Sequence, residues 1–191
     1  IKNVDIKLCQ DSTSGALMVE NGEIEFLIGM ASADRDRLSV NPKLELVNAF
    51  SAGTYILCMN DQKGPFADNL ALREAVAYAI NRDEILLGGM NGVGSVTPGP
   101  ITPGYFGYVD DFEPYPYDPE MAKKKLAEAG YPDGIDISFK TASDSWYSLP
   151  SQIIVEQLRQ VGIRCDLQIM ERAPFFKETQ EDLNYDMCYY M

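Results

Sequence analysis

Apolar and polar positions alternate with a period of two at Val4, Ile6 and Leu8 around Asp5 and Lys7, the mark of a half-buried strand. Residues 12–21 then predict a short helix ending at Gly22, and Ile24–Ile28 predicts a second strand. Residues 33–39 read as a polar helix that stops before Asn41-Pro42. Leu44 to Asn60 is long and apolar, and predicts two strand segments or one strand bent at Ala52-Gly53. After the turn Gly64–Asp68, Asp68 or Asn69 is expected to cap a helix running to about Leu87, with Leu72, Val76, Ala79 and Ile80 as its apolar stripe.

Residues 88–117 change character. They hold Gly88, Gly89, Gly92, Gly94, Pro98, Pro100, Pro103, Pro114 and Pro116 together with several tyrosines, which excludes regular structure over most of the stretch. Asp118 then caps a helix with Pro119 in its first turn, and Gly130 and Pro132 close it. Ile135, Ile137 and Phe139 alternate as a strand. Ser148–Val161 is a helix with Ile154, Leu158 and Val161 on one stripe, stopped by Gly162. Ile163, Cys165, Leu167 and Ile169 alternate again. Strand, helix and strand of these lengths predict a βαβ unit, for which a right-handed crossover is expected. A short helix near Pro174–Glu181 and a last strand through Tyr185, Met187 and Tyr189 follow. The chain starts at Ile1, not at a Met, and stops at Met191 inside this strand, so truncation at both ends is expected.

Composition narrows the function classes. Acids outnumber bases 29 to 16, a net charge of −13, and the basic residues are scattered; nucleic acid and anionic membrane are disfavoured as partners. Histidine is absent, which removes Ser-His-Asp and Cys-His catalysis and any Cys/His zinc site. Cys9, Cys58, Cys165 and Cys188 form no CxxC pair; each lies in an apolar run and is expected to be a buried free thiol, with one disulfide left open for an oxidising compartment. Acid pairs such as Asp110-Asp111 and Glu181-Asp182 could in principle do general acid–base work, and solvated surface explains them better.

Several segments, in order, resemble the type-5 extracellular solute-binding family. They are Asn21–Glu25, Asn60 with Gly64–Asp68 and Leu72–Arg82, Pro98–Pro103, Tyr117–Lys123 with Leu126–Tyr131, Gln157-Leu158 with Val161–Ile163, and Tyr185-Asp186. The resemblance implies an α/β fold of the periplasmic-binding-protein kind: residues 51–191 as a second lobe, with a mixed sheet flanked by helices, and residues 1–50 as the end of a first lobe and the approach to a hinge. It implies no enzyme and no cofactor. A monomer is expected, which captures a peptide or peptide-like solute between two lobes and passes it to ABC permease subunits. The expected location is the outer face of the membrane, lipid-anchored, or the periplasm. Positions matching the family's cleft-facing segments are Gly29, Met30, Phe50, Tyr55, Thr141, Trp146 and Tyr189. Trp146, the one Trp, is expected in a polar loop. The rival readings are the ligand-sensing domain of a transcriptional regulator and, remotely, an acid-pair hydrolase.

Overall fold

A computed structural model describes the chain except for residues 1, 10, 48–52, 98, 110 and 111. The chain divides into two units, Ile1–Phe50 and Ser51–Met191.

In the first unit, α1 spans Ser12–Glu20. Asp11 caps it by accepting from the Ser14 amide at 2.7 Å, which satisfies one of the free N–H groups of the first turn. Ala16 on its inner face is fully buried. A 3₁₀ turn, Ser32–Asp34, leads into α2, Arg35–Ser39, and Arg37 ties α2 to α1 by an ion pair with Glu20. The two strands expected here are absent among the described residues. Val4, Ile6 and Leu8 are 71%, 85% and 95% exposed, and Phe26 and Ile28 are exposed as well. Alternation alone makes no strand; the backbone needs a partner to pair with, and among the described residues these segments form no ladder.

The second unit holds a four-stranded sheet with strands β1 (Ile56–Met59), β2 (Ile135–Ala142), β3 (Ile163–Met170) and β4 (Met187–Tyr190). Their order is β1-β4-β2-β3. β2 runs parallel to both β3 and β4, whereas β1 is antiparallel to β4. Of the expected Leu44–Asn60 strand, Ile56–Met59 is the part that pairs among the described residues; residues 44–47 are not in a strand, and Ala52 of the expected bend lies outside the described residues. The β2–β3 register starts at Ile135↔Ile163, where Gly134 and Gly162 approach so closely that a Cβ on Gly134 would collide with the Gly162 carbonyl. Gly134 also has φ +92°, a region in which a side chain is strained.

α6, Ser145–Gln160, connects β2 to β3 and buries Ile154 and Leu158. It begins earlier than expected, so Trp146 lies in its first turn rather than in a loop. α5, Pro119–Glu128, has the expected ends: the Asp118 side chain accepts from the Met121 amide at 2.9 Å, and Gly130 has φ +95°. Lys125 of α5 bonds Glu74 of α3 (Leu70–Ala79) at 2.8 Å. The helix expected from residue 69 to 87 is broken. Ile80 is extended, and Asn81 caps a new turn, α4 (Arg82–Glu84), that widens into a π-helical turn over Ile85–Gly89. Asn residues favour such caps because their side chains compete for backbone amides, and here the Asn81 side chain accepts from the Glu84 amide at 3.2 Å. α7, Arg172–Phe176, and a π-helical turn, Lys177–Glu181, link β3 to β4.

Asn60 fixes the end of β1. It is 3% exposed, and its side-chain amide donates to the carbonyls of Leu183 and Tyr185 at 3.1 and 2.9 Å. Its Oδ1 accepts from the amides of Gln62 and Lys63. The turn after β1 and the approach to β4 are thereby one hydrogen-bonded unit. Gly64 belongs to it: a Cβ there would sit 2.6 Å from a carboxylate oxygen of Asp186.

Candidate functional site

Strand direction gathers the site. β2, β3 and β4 run parallel, so their carboxyl ends lie at one edge of the sheet; β1 is antiparallel, so its amino end lies there too. That edge therefore collects Tyr55 before β1, Ser143-Asp144 after β2, Arg172 after β3, and Tyr189 near the end of β4. Open α/β sheets bind ligands in the crevice beyond the carboxyl ends of their strands.

Side chains of these residues converge. Tyr55 stacks on Tyr189 with ring centroids 5.9 Å apart and packs at 5.6 Å against Tyr147, which lies in the first turn of α6. The Arg172 guanidinium lies 5.9 Å from the Tyr147 ring and donates from Nε to Asp144 at 2.8 Å. Asp144 in turn starts α6, its carbonyl accepting from the Tyr147 amide at 2.9 Å. Arg172 is thus fixed by a carboxylate on one side and a ring face on the other.

Burial disfavours ionisation of the Tyr55 and Tyr189 phenols. Tyr55 is pushed up to about 12 by desolvation, with Tyr147 reinforcing and Arg172 opposing; Tyr189 is raised too, again first by burial. The edge offers phenol donors, aromatic faces and one oriented acid–base pair. Pro150, inside α6, has no N–H and so removes the donor that the Trp146 carbonyl would meet one turn on. The Thr54 hydroxyl is buried with no hydrogen-bond partner among the described residues.

The residues expected from the sequence fall out as follows. Tyr55 and Tyr189 meet at the edge. Thr141 is fully buried and its hydroxyl donates to the Tyr189 carbonyl at 3.4 Å, so it supports the strand that carries Tyr189. Trp146, half-buried, neighbours Tyr147 in α6. Gly29, exposed with φ +75°, and Met30 lie in the first unit, and Phe50 lies outside the described residues. The sequence reading missed Tyr147, Asp144 and Arg172. The signal available was position: each stands within a few residues of the carboxyl end of a parallel strand.

The family "Bacterial extracellular solute-binding proteins, family 5 Middle" matches residues 1–190. The chain belongs to this family. The family-5 chain is 28% identical over 181 residues to heme-binding protein A of Haemophilus influenzae, which covers 92% of this chain and 33% of that protein. It is 33% identical over 171 residues to the glutathione-binding protein GsiB of Salmonella choleraesuis, 89% of this chain and 33% of the relative. A solved structure of the ABC transporter-associated periplasmic binding protein DppA from Helicobacter pylori, in complex with the peptide STSA, is similar with a TM-score of 0.82 at 29% identity, over 95% of this chain and 35% of that one. The chain spans about a third of the length of the curated relatives it matches. The α/β fold with its mixed sheet agrees with that read from the sequence.

Proposed function

We propose that this family-5 chain supplies one wall of the solute cleft of an ABC importer's binding protein, and that the wall is the edge formed by Tyr55, Tyr147, Tyr189, Asp144 and Arg172. The observation that carries the reading is the Tyr55–Tyr189 stack at the carboxyl ends of the parallel strands. Aromatic rings with neutral hydroxyls suit a peptide or peptide-like solute, because such a ligand offers apolar side chains between hydrogen-bonding amides. The Arg172–Asp144 pair adds complementary charges for a zwitterion, held in place before the ligand arrives. The relative DppA was solved with a peptide, and GsiB is named for glutathione, itself a small peptide-like molecule.

In this reading residues 51–191 are the second lobe and residues 1–50 the end of the first. Trp146 is a further candidate contact on the second unit, Gly29, Met30 and Phe50 stay candidates of the first, and the loaded receptor delivers its solute to permease subunits outside the cytoplasm. Titration calorimetry of the full receptor against di- to tetrapeptides, glutathione and haem tests it. Peptide binding is expected, weakened at least about tenfold by Tyr189→Ala or Arg172→Met, the scale of losing one aromatic or charged contact. Peptide affinities unchanged in both variants would remove this edge from the site.

A further inference from the structure

Cys58 and Cys188 are register partners on adjacent antiparallel strands, directly opposite each other on β1 and β4. Their side chains leave the same face of the sheet, opposite to that of Tyr55 and Tyr189, because faces alternate along each strand. Both are free thiols; Cys188 is buried and Cys58 is half-buried. Opposed residues on such strands have Cα atoms about 4.5–5.5 Å apart, inside the roughly 4.4–6.8 Å that a disulfide spans.

We propose that Cys58 and Cys188 form a reversible dithiol–disulfide pair that staples β1 to β4, with a low-molecular-weight disulfide as oxidant. The Cys58 thiolate attacks one sulfur of the small disulfide; a mixed disulfide forms, and the first small thiolate leaves and takes up a proton. Cys188 then gives up its proton and attacks Cys58 Sγ, the new S–S bond forms, and the second small thiol departs. Two protein thiols are oxidised by two electrons and one small disulfide is reduced to two thiols.

The roles of the two sulfurs differ. Cys58 is the accessible one, and the neighbouring Cys188 thiol, with the Tyr190 hydroxyl, hydrogen-bonds it and pulls it down to about 7 against the effect of burial. Cys188 is held up by the same contact and by its own burial, which suits the resolving partner. Cys165 is no competitor for Cys188: β2 stands between their strands, so the two lie about 9–10 Å apart, beyond disulfide reach. Burial also pushes Cys165 up to about 12.

The bond is reversible for a geometric reason. Opposed Cβ atoms on a sheet stand about 4.5–5.5 Å apart, whereas disulfides favour about 3.8 Å. Closure draws the strands together, and a strained disulfide is readily reduced. Among the described residues β1 is the edge strand of the sheet, paired with β4 alone, and it leads directly from Tyr55. Oxidation therefore fixes the strand that holds the Tyr55 ring against Tyr189.

The test equilibrates the folded protein, with Cys9→Ser and Cys165→Ser in place, in buffers of 2-hydroxyethyl disulfide and 2-mercaptoethanol, followed by non-reducing peptide mapping and thiol counting. A linked Cys58–Cys188 peptide is expected at the oxidising end, with both thiols lost, a Tm raised by several degrees, and full reversal on adding thiol. Cys188→Ala should trap Cys58 as a stable mixed disulfide, while Cys58→Ser should leave Cys188 unreacted. Two intact thiols in the folded protein, under conditions that oxidise the urea-unfolded chain, would overturn the proposal, as would equal reactivity of the two single variants.

Discussion

The side-chain amide of Gln157 closes both hydrogen bonds of the Asn81 backbone. Its Oε1 accepts from the Asn81 amide at 3.1 Å and its Nε2 donates to the Asn81 carbonyl at 3.2 Å. The same Nε2 reaches Glu84 at 2.9 Å. The break between α3 and α4 thus keeps its backbone groups satisfied: the Asn81 amide relies on Gln157, and the Asn81 carbonyl is shared between Gln157 and the Ile85 amide at 3.3 Å. Replacing Gln157 by Leu leaves the Asn81 amide without its partner in a site where Gln157 is 4% exposed, while the Asn81 carbonyl keeps the Ile85 amide. A loss of about 1–3 kcal/mol is expected in urea unfolding, the cost of one buried donor left unpaired, with little change in m-value.

Gly134→Ala is expected to cost about 2 kcal/mol or more. The backbone there is left-handed at φ +92°, and the added methyl meets the carbonyl of Gly162. Gly130→Ala is the control. It carries the same kind of strain at φ +95° but has open space around it, so it should cost less in the same denaturation experiment.

Lys140 is buried within β2 and pairs with Glu178 of the π-helical turn that follows α7. Either change leaves the other charge unpaired, and the charge left behind costs more the deeper it lies: the Lys140 side chain is 5% exposed and that of Glu178 30%. Glu178→Ala should therefore destabilise more than Lys140→Met. Thermal unfolding of both variants side by side checks the order, and the reverse order would mean that the pair is solvated.

Stability should fall steeply at high pH. Tyr55 and Tyr185 are both pushed up to about 12, mainly by burial, from an ordinary value near 10. The folded state holds these protons more tightly than the unfolded chain. The stabilisation is complete below pH 10 and is lost as pH rises from there toward 12. Urea midpoints from pH 9 to 11.5 should show the decline, and Tyr55→Phe should flatten it. Absorbance of the phenolates should show a class of tyrosines that ionises late.

The second unit was largely legible from the sequence because its signals are local. Asp118-Pro119 and Gly130 bracket α5 as expected, and the alternation of Ile135–Phe139 and Ile163–Ile169 gave two strands that pair in parallel. In the first unit the same alternation at Val4, Ile6 and Leu8 led to a strand that is absent, since periodicity records which side chains could share a face and says nothing about a partner. Asn81 looked like one polar residue in a helix, but its capping chemistry outweighed the continuing apolar stripe. Of the site, Tyr55 and Tyr189 were reached by resemblance. Tyr147 and Arg172 were not, because stacking and cation–π geometry join residues far apart in the chain, and only the sheet order brings them to one edge.

The last strand among the described residues is an inner one. β4 sits between β1 and β2 although both precede it in sequence, so neither strand can complete its hydrogen bonding until residues 187–190 arrive. A ribosome making this protein releases β1 more than a hundred residues before its partner exists. Through that interval β1 lacks the ladder with β4 and one edge of β2 stands open, the kind of surface that holdase chaperones shield and that pairs wrongly in a crowd. Closure of the sheet, with its long loop to overcome, is the expected slow step of folding.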